Sequence, residues 1–283
     1  LITIKPFLIG GLAAHLIKKT PKIIISVSGL GYIFTVKGIK AFLRKKIIIL
    51  LYKLVFNHKK LKVIFQNKTD LDNISKETNL SLNKTVLIPG SGVDLKKFKL
   101  TKITNKEPIV LFPARLLSTK GIYEFIKCAE NLKNKARFAI VGRHDLEARN
   151  CIKICELERW QKENIIEYWG ESSNMPREYS KASIVVLPSY REGMPKSLLE
   201  AAACGRVVIT TDVPGCRDAI LDGVTGFLVP PYDSIALTNG VEKLLNNPKL
   251  IYKMGRQGRY LAEKKFNIDN VVKKHIEIYR DPF

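Results

Sequence analysis

Ser189-Tyr-Arg-Glu-Gly-Met-Pro-Lys-Ser-Leu-Leu-Glu-Ala-Ala-Ala-Cys-Gly-Arg206 leaves a short apolar run, Ile184-Val-Val-Leu187, and leads into another, Val207-Val-Ile209. This reads as strand, loop, a small-residue helix over Lys196–Ala203, and strand. Strands joined by a helical crossover lie parallel, with helices covering both faces of the sheet. Pro195 suits the first turn of that helix, where its missing N–H costs nothing. The alternation extends upstream through apolar runs at Ile109–Phe112, Arg137–Val141 and Ile165–Trp169. Helical patterns lie between them, the last a short one near Pro176–Lys181. Such alternation predicts an α/β, doubly wound parallel sheet with ligands at the C-terminal ends of its strands.

The N-terminal part repeats the theme more briefly. Lys22–Ser26, Lys62–Phe65 and Thr85–Ile88 read as strands, and Ile39–Phe56 as a basic, strongly apolar helix. The turn-rich Pro89-Gly-Ser-Gly-Val-Asp94, followed by polar Lys96–Lys106, marks the domain boundary. Residues 1–104 then form an N-terminal domain, 105–266 a C-terminal domain, and 267–283 a terminal helix. Apolar residues at helical spacing in Phe266–Tyr279 let that helix cross back to the first domain or pack on its own. Three strands are too few for a doubly wound domain of ordinary size, so the N-terminal one is expected to be incomplete.

The chain has 283 residues, 46% of them apolar, enough to fill real cores. No apolar run reaches the ~18–20 residues that span a bilayer. Five cysteines with no CxxC spacing point to free thiols in a reducing compartment. Cys151 and Cys155 would share a helix face, two ligands short of a metal site. The net charge of +22 is lopsided: residues 1–100 hold 19 Lys/Arg against 4 Asp/Glu, with no acid before Asp70. That field points to an anionic partner, or else reflects a lysine-rich composition. The 39–56 helix either packs on its sheet or lies in a membrane interface with its lysines on anionic lipid, and one helix can do both. No aromatic interleaving or recognition motif supports nucleic-acid binding.

Two groups carry candidate chemistry. Glu192 and Glu200 bracket a helix start whose free N–H groups favour an anion, with Lys196 and Ser197 beside them. Eight positions correspond to about 12 Å of helix. Carboxylates only accept hydrogen bonds, so sugar hydroxyls suit them and phosphates do not. Arg115 and Lys120 lie on the loop after the first C-domain strand, where two cations can clamp a diphosphate. The plainer readings are an acidic helix start, a solvated glutamate and two surface cations. Gly29-Leu-Gly31 starts a dinucleotide fingerprint, but Phe34 holds its third glycine position. No Walker, HExxH or GxSxG motif occurs. Trp169, beside Gly170, is either a packed aromatic or a neighbour of a nucleobase.

Taken in order, Arg115 with Lys120-Gly121, Gly142, Trp169-Gly170, Pro188–Glu200, Thr210–Arg217 and Asp222–Pro231 resemble a retaining GT-B glycosyltransferase of family 4. Members of that family extend capsule, O-antigen and lipid-linked oligosaccharide chains. The match covers the C-terminal domain. Pro89–Asp94 resembles the family's interdomain linker, and Ser28–Tyr32 and Ile4-Lys5-Pro6 resemble later N-domain loops. The resemblance implies that Arg115 and Lys120 bind the donor diphosphate and that Glu192 holds the transferred sugar, within a loop shaped by Gly193, Met194 and Pro195. Lys196 and Ser197 would lie near phosphate, Glu200 on the ribose, and Ser28 and Gly29 on the acceptor side. It implies no metal and no other cofactor, with front-face displacement in which a leaving phosphate oxygen takes the acceptor proton. Many relatives carry a histidine where this chain has Ser28-Gly29; His15, the only histidine nearby, reads as packed or solvated.

The expected partners are therefore a nucleotide-sugar donor (a UDP-linked hexose or N-acetylhexosamine), a lipid-linked saccharide acceptor, and an anionic membrane surface, with no nucleic acid. The expected location is cytoplasmic, at the inner face of the cell membrane. The short N-terminal domain also fits an inactive or split-gene remnant that keeps donor and membrane-surface binding.

Overall fold

A computed structural model describes residues 1–18, 21–30, 38–104, 106–148 and 150–281. Gly31, Tyr32 and Phe34 of the glycine-rich loop fall outside the described residues. The chain divides into two compact units: Leu1–Ser91 with Glu192–Met194 and Asp269–Phe283, and Gly92–Arg191 with Pro195–Ile268. The first division falls inside the turn-rich Pro89–Asp94 segment, and the polar stretch through residue 104 goes with the second unit.

The first unit contains α1 (Ile4–His15), β1 (Ile23–Val27), α2 (Ile39–Phe56), β2 (Leu61–Phe65), α3 (Lys68–Thr78) and β3 (Thr85–Leu87). Among the described residues its sheet is parallel, in the order β1-β2-β3. Alternate strand residues such as Ile25, Val63 and Phe65 pack under α1 and α2 against Phe7, Tyr52 and Val55. Ile64, from the opposite face of β2, joins Ile88 and the terminal helix residues Val271 and Ile278. Both faces are covered, as a parallel sheet requires. Ile4-Lys5-Pro6, expected in a loop, instead opens α1. Proline is tolerated there because N–H groups of a first turn have no intrahelical acceptor.

The second unit runs β4 (Ile109–Pro113), α4 (Ile122–Leu132), β5 (Arg137–Val141), α5 (Ile154–Lys162), β6 (Glu167–Tyr168), α6 (Met175–Lys181), β7 (Ile184–Leu187), α7 (Lys196–Ala203), β8 (Val207–Thr211), β9 (Gly226–Val229), α8 (Ser234–Leu245) and α9 (Pro248–Leu261). A π-helical turn, Ala262–Phe266, leads to α10 (Ile268–Arg280). The sheet order is β6-β5-β4-β7-β8-β9, parallel throughout. Strand order reverses between β4 and β7. A crevice opens at such a switch point, outside the strands' C-terminal ends.

Cys151 and Cys155 do not share a helix face. Cys151 bridges Leu117 ahead of α5, which begins only at Ile154. None of the five cysteines forms a disulfide. Trp160 is packed, 2% exposed, edge-on to Tyr123. Trp169 donates to Glu167 (3.0 Å), and the Lys181 ammonium sits 4.7 Å from its ring centre. No helix among the described residues is long and apolar enough to cross a membrane.

Candidate active site

The switch point of the second unit gathers five of the candidate residues. Arg115 follows β4, Lys120 ends the 3-10 turn Ser118–Lys120, and Lys196, Ser197 and Glu200 lie on α7 after β7. The two loops are held together by backbone. The Thr119 carbonyl accepts from the Tyr190 N–H (3.1 Å) and from the Ser189 hydroxyl (3.3 Å). The Thr211 hydroxyl in turn donates to the Ser189 carbonyl. Gly121, at φ +75°, caps the start of α4, and a Cβ there would lie 2.0 Å from the Pro188 carbonyl oxygen. Only glycine allows that approach, so the Lys120 turn is seated on the end of β7. Tyr190 adds a hydrogen bond to the Glu124 carboxylate (2.9 Å), and burial with that neighbour pushes its phenol pKa up.

Arg115 is anchored through its backbone neighbours more than through its side chain. The Leu116 N–H donates to the Arg143 carbonyl (3.1 Å), and Gly142 leaves no room for a Cβ against Ala114. The guanidinium is half exposed and 3.7 Å from Asp145, a loose pair that leaves it able to turn to an anion.

Glu200 is buried, 8% exposed, at the second turn of α7. The Tyr179 hydroxyl lies 3.2 Å from its Oε2 and 3.1 Å from the Ser197 carbonyl, and donates to one of them at a time. The Lys196 ammonium stands 3.8 Å from Oε1. Burial raises the carboxyl pKa, against the opposing pull of Lys196 and Tyr179. Pro195 precedes α7 at the N-cap rather than occupying its first turn; its backbone is extended (ψ 113°), and the helix runs over Lys196–Ala203 as the sequence suggested.

The other candidates fall in the first unit, where Glu192–Met194 clusters with the N-terminal residues. The Asn67 amide donates to the Gly193 carbonyl (2.9 Å) and to Asp70 (3.0 Å), while its Oδ1 caps α3 by accepting from the Asp70 N–H (2.7 Å). A Cβ on Gly193 would fall 1.9 Å from the Ser28 carbonyl oxygen and 2.9 Å from Gln66 Oε1. One on Gly29, at φ +125°, would meet Gly193 backbone at 3.2 Å. Ser28 and Gly29 therefore abut Gly193, in the same cluster as Glu192.

The sequence reading missed Tyr179, Asn67 and Gln66. Tyr179 lies 21 residues from the carboxylate it touches, and nothing local marks it. Asn67 carried a usable signal, an asparagine ahead of a polar helix start. Among the described residues, no three His, Cys, Asp or Glu side chains converge as a metal site.

Comparison with known proteins gives the family of the chain. Residues 93–261 match the family model described as glycosyl transferases group 1. The chain is 30% identical over 282 residues to the N,N'-diacetylbacillosaminyl-diphospho-undecaprenol alpha-1,3-N-acetylgalactosaminyltransferase of Campylobacter jejuni, covering 95% of this chain and 73% of that one. It is 31% identical over 284 residues to the capsular polysaccharide biosynthesis glycosyltransferase CapM of Staphylococcus aureus, covering 94% and 71%. Among solved structures, the sucrose-phosphate synthase of Thermosynechococcus elongatus matches with a TM-score of 0.85 at 23% identity, over 99% of this chain and 72% of that one. Anabaena HepE in complex with UDP matches at 0.82 and 16% identity, over 97% and 76%.

Proposed function

The chain belongs to the group 1 glycosyl transferases and is a GT-B glycosyltransferase; on that premise we propose that it is a retaining, family 4 enzyme that moves a hexose or N-acetylhexosamine from a UDP-linked donor to a lipid-linked saccharide. The second unit is the donor domain and the first the acceptor domain. One observation carries the reading. At the switch point, two loops locked through Thr119 and Pro188 hold Arg115 and Lys120 on one side and the α7 start, with Lys196, Ser197 and the buried Glu200, on the other. The names of the Campylobacter and Staphylococcus relatives support a lipid-linked or capsular acceptor, and the UDP complex of HepE supports the nucleotide.

The chemistry follows from the residue types. Arg115 and Lys120 neutralise the diphosphate as negative charge grows on the leaving β-phosphate. Ser197 and the first α7 N–H groups add hydrogen bonds to phosphate oxygen. Glu200 accepts the ribose hydroxyls, a role for which its Tyr179 hydrogen bond fixes the side chain. Glu192 accepts hydroxyls of the sugar, on a loop shaped by Gly193, Met194 and Pro195, with Ser28 and Gly29 on the acceptor side. The bond from the sugar's anomeric carbon to phosphate oxygen breaks, and a bond to the acceptor oxygen forms on the same face. The acceptor proton passes to the departing phosphate oxygen, so the step balances without a protein nucleophile.

The membrane part of the proposal rests on α2. Ile48, Tyr52, Val55 and Phe56 face the core, while Leu43, Ile47, Leu50 and Leu54 are each more than half exposed. The exposed set recurs at i, i+4, i+7 and i+11, one stripe of the helix. Lys40, Arg44, Lys46 and Lys53 are exposed on the same helix. An apolar stripe among cations suits an anionic membrane interface, at the inner face of the cell membrane.

Calorimetry with UDP tests the donor site. UDP should bind, and Arg115→Ala and Lys120→Ala should each weaken it about tenfold or more, the worth of a charge-assisted contact. No binding, or unchanged affinity in both variants, would refute the assignment. The anomer formed, read by NMR, tests retention.

A further inference from the structure

The second unit gathers a second set of cations, at the opposite ends of its strands. A cavity of about 620 Å³ opens where β4, β7 and β8 begin, beside Pro108, Ser183 and Arg206. That volume is typical of a small-molecule site. Arg115, Lys120 and Lys196 follow the other ends of β4 and β7, a strand length of roughly 17 Å away.

Four cations line this cavity, Lys102, Lys106, Arg206 and Arg256, and among the described residues no Asp or Glu does. Lys102, Lys106 and Arg256 are exposed. Arg206 is not: its exposure is 0%. Its Nη2 donates to the Thr101 carbonyl (2.9 Å) and to the Thr101 hydroxyl, which fixes the guanidinium beside a residue that also lines the cavity. Its Nε and Nη1 have no hydrogen-bond partner. A buried guanidinium with unmade hydrogen bonds is costly, and a chain keeps one most readily where an anion completes it. Apart from Thr101 and Ser183 the rest of the lining is largely apolar, including Leu100, Ile103, Ile251 and Tyr252. A phosphate alone would leave that surface bare, and a neutral lipid would leave the cations unmatched.

We propose that this cavity binds an organic phosphate ester with an apolar body, its phosphate held by Arg206 and the exposed cations and its body laid against Leu100, Ile103 and Tyr252. The ligand is a lipid phosphate headgroup or a soluble phosphate ester; both offer the same chemistry. The site is separate from the donor residues, so its test does not rest on the donor assignment.

Octyl phosphate, measured by calorimetry on the whole chain, is the probe, with inorganic phosphate and octanol as its two halves. Octyl phosphate should bind below millimolar, at least tenfold tighter than either half. Arg206→Met, and separately Lys102→Glu with Arg256→Glu, should each weaken it at least tenfold. The paired variant changes only exposed side chains, so it decides the matter even where Arg206→Met fails to fold. Affinity for UDP should stay within about twofold in both. No octyl phosphate binding by the wild type at 5 mM, or equal binding by the folded variants, overturns the site. Equal affinity for inorganic phosphate overturns the amphiphilic ligand. Vesicles containing phosphatidic acid then separate the sources. Vesicle binding that octyl phosphate competes away, and that the paired variant loses, assigns a lipid headgroup. Vesicle binding indifferent to both, alongside the calorimetric losses, assigns a soluble ester.

Discussion

Replacing Gly121 by alanine tests whether the Lys120 turn is held where the switch point needs it. Two costs apply. Gly121 sits at φ +75°, where an alanine loses about 1–2 kcal/mol. The new Cβ would also fall 2.0 Å from the Pro188 carbonyl oxygen, and real Cβ contacts stay beyond 3.0 Å, so the turn or the end of β7 must retreat by roughly 1 Å. Overpacking of that kind adds about 1–3 kcal/mol. Gly223 is the internal control. Its φ is +70°, and nothing lies within 4 Å of its would-be Cβ. Gly223→Ala should therefore cost the dihedral term alone, about 1–2 kcal/mol, and Gly121→Ala about 2–5 kcal/mol. Urea unfolding reads the difference, and thermal unfolding should show it as a Tm drop of ~2–4 °C per kcal/mol for a unit of this size. Displacing a positioning group by 1 Å also costs on the order of 10²-fold where its placement matters. UDP affinity should then fall by ~10- to 100-fold in Gly121→Ala and stay unchanged in Gly223→Ala. Stabilities within about 0.5 kcal/mol of each other, with equal UDP affinity, would show that the loop contact does not hold the Lys120 turn.

Glu200→Gln should weaken UDP binding by about tenfold or more while raising stability at pH 7, because it removes a buried charge. The sign follows from a carboxyl pKa raised by burial: the folded state holds its proton to higher pH than the unfolded state, so the cost of Glu200 is absent below about 4.5 and grows as pH rises through the folded value. The stability gain of the variant, followed by urea unfolding, should accordingly vanish near pH 4. His58 gives the opposite slope. It is 3% exposed, both ring nitrogens lack partners, and burial, with His15 5.1 Å away ring to ring and Lys84 and Lys60 nearby, lowers its pKa. Its neutral form supports the fold above pH ~6.5, and stability is lost as pH falls toward the folded pKa, by at most about 1.4 kcal/mol per pH unit. His58→Leu should flatten that part of the profile; an unchanged slope would place the titration elsewhere. Ile47→Glu with Leu50→Glu on the exposed α2 stripe should cut binding to anionic vesicles by ~100-fold or more, from lost apolar contact and reversed charge, with little change in Tm. Retained flotation would remove α2 from the membrane surface.

Elements with one dominant signal were legible from the sequence. The bounds of α2, β5, β7 and α7 coincide with apolar periodicity flanked by breakers, as at Ile39–Phe56 and Lys196–Ala203. Elements held by their surroundings were not. In α3, Lys-Thr-Asp-Leu-Asp-Asn-Ile-Ser-Lys-Glu-Thr carries two aliphatic residues in eleven and depends on its Asn67 cap and on Ile74 in the core. In β9, Gly226-Phe-Leu-Val229 is an edge strand whose pairing with β8 requires the glycine, since a Cβ would lie 1.8 Å from the Val208 carbonyl. The asparagine cap can be read along the chain, but the burial of Ile74 and the close approach at Gly226 cannot. Ile165 and Ile166 are buried as an apolar run implies, yet only Glu167 and Tyr168 pair with β5, because burial and strand pairing are separate requirements.

The same division separates the two cationic edges of the second unit. Arg115, Lys120 and Lys196 could be found from sequence because one rule applies: in a doubly wound sheet, charge after a strand faces the ligand crevice. No rule of that kind attaches to charge before a strand, so nothing in the sequence singles out Arg206, directly ahead of β8. Its 0% exposure does. Glu200 and Arg206 are both buried charges, but they are buried differently. Glu200 keeps Tyr179 on one oxygen and Lys196 near the other, whereas Arg206 has hydrogen bonds from Nη2 alone. The Glu200 carboxylate has polar partners within the fold, which offset part of its desolvation cost. A guanidinium with two unmade donors gains more from an incoming anion than from anything the fold itself supplies, and that asymmetry makes the strand-start cavity the stronger candidate for a ligand that stays bound.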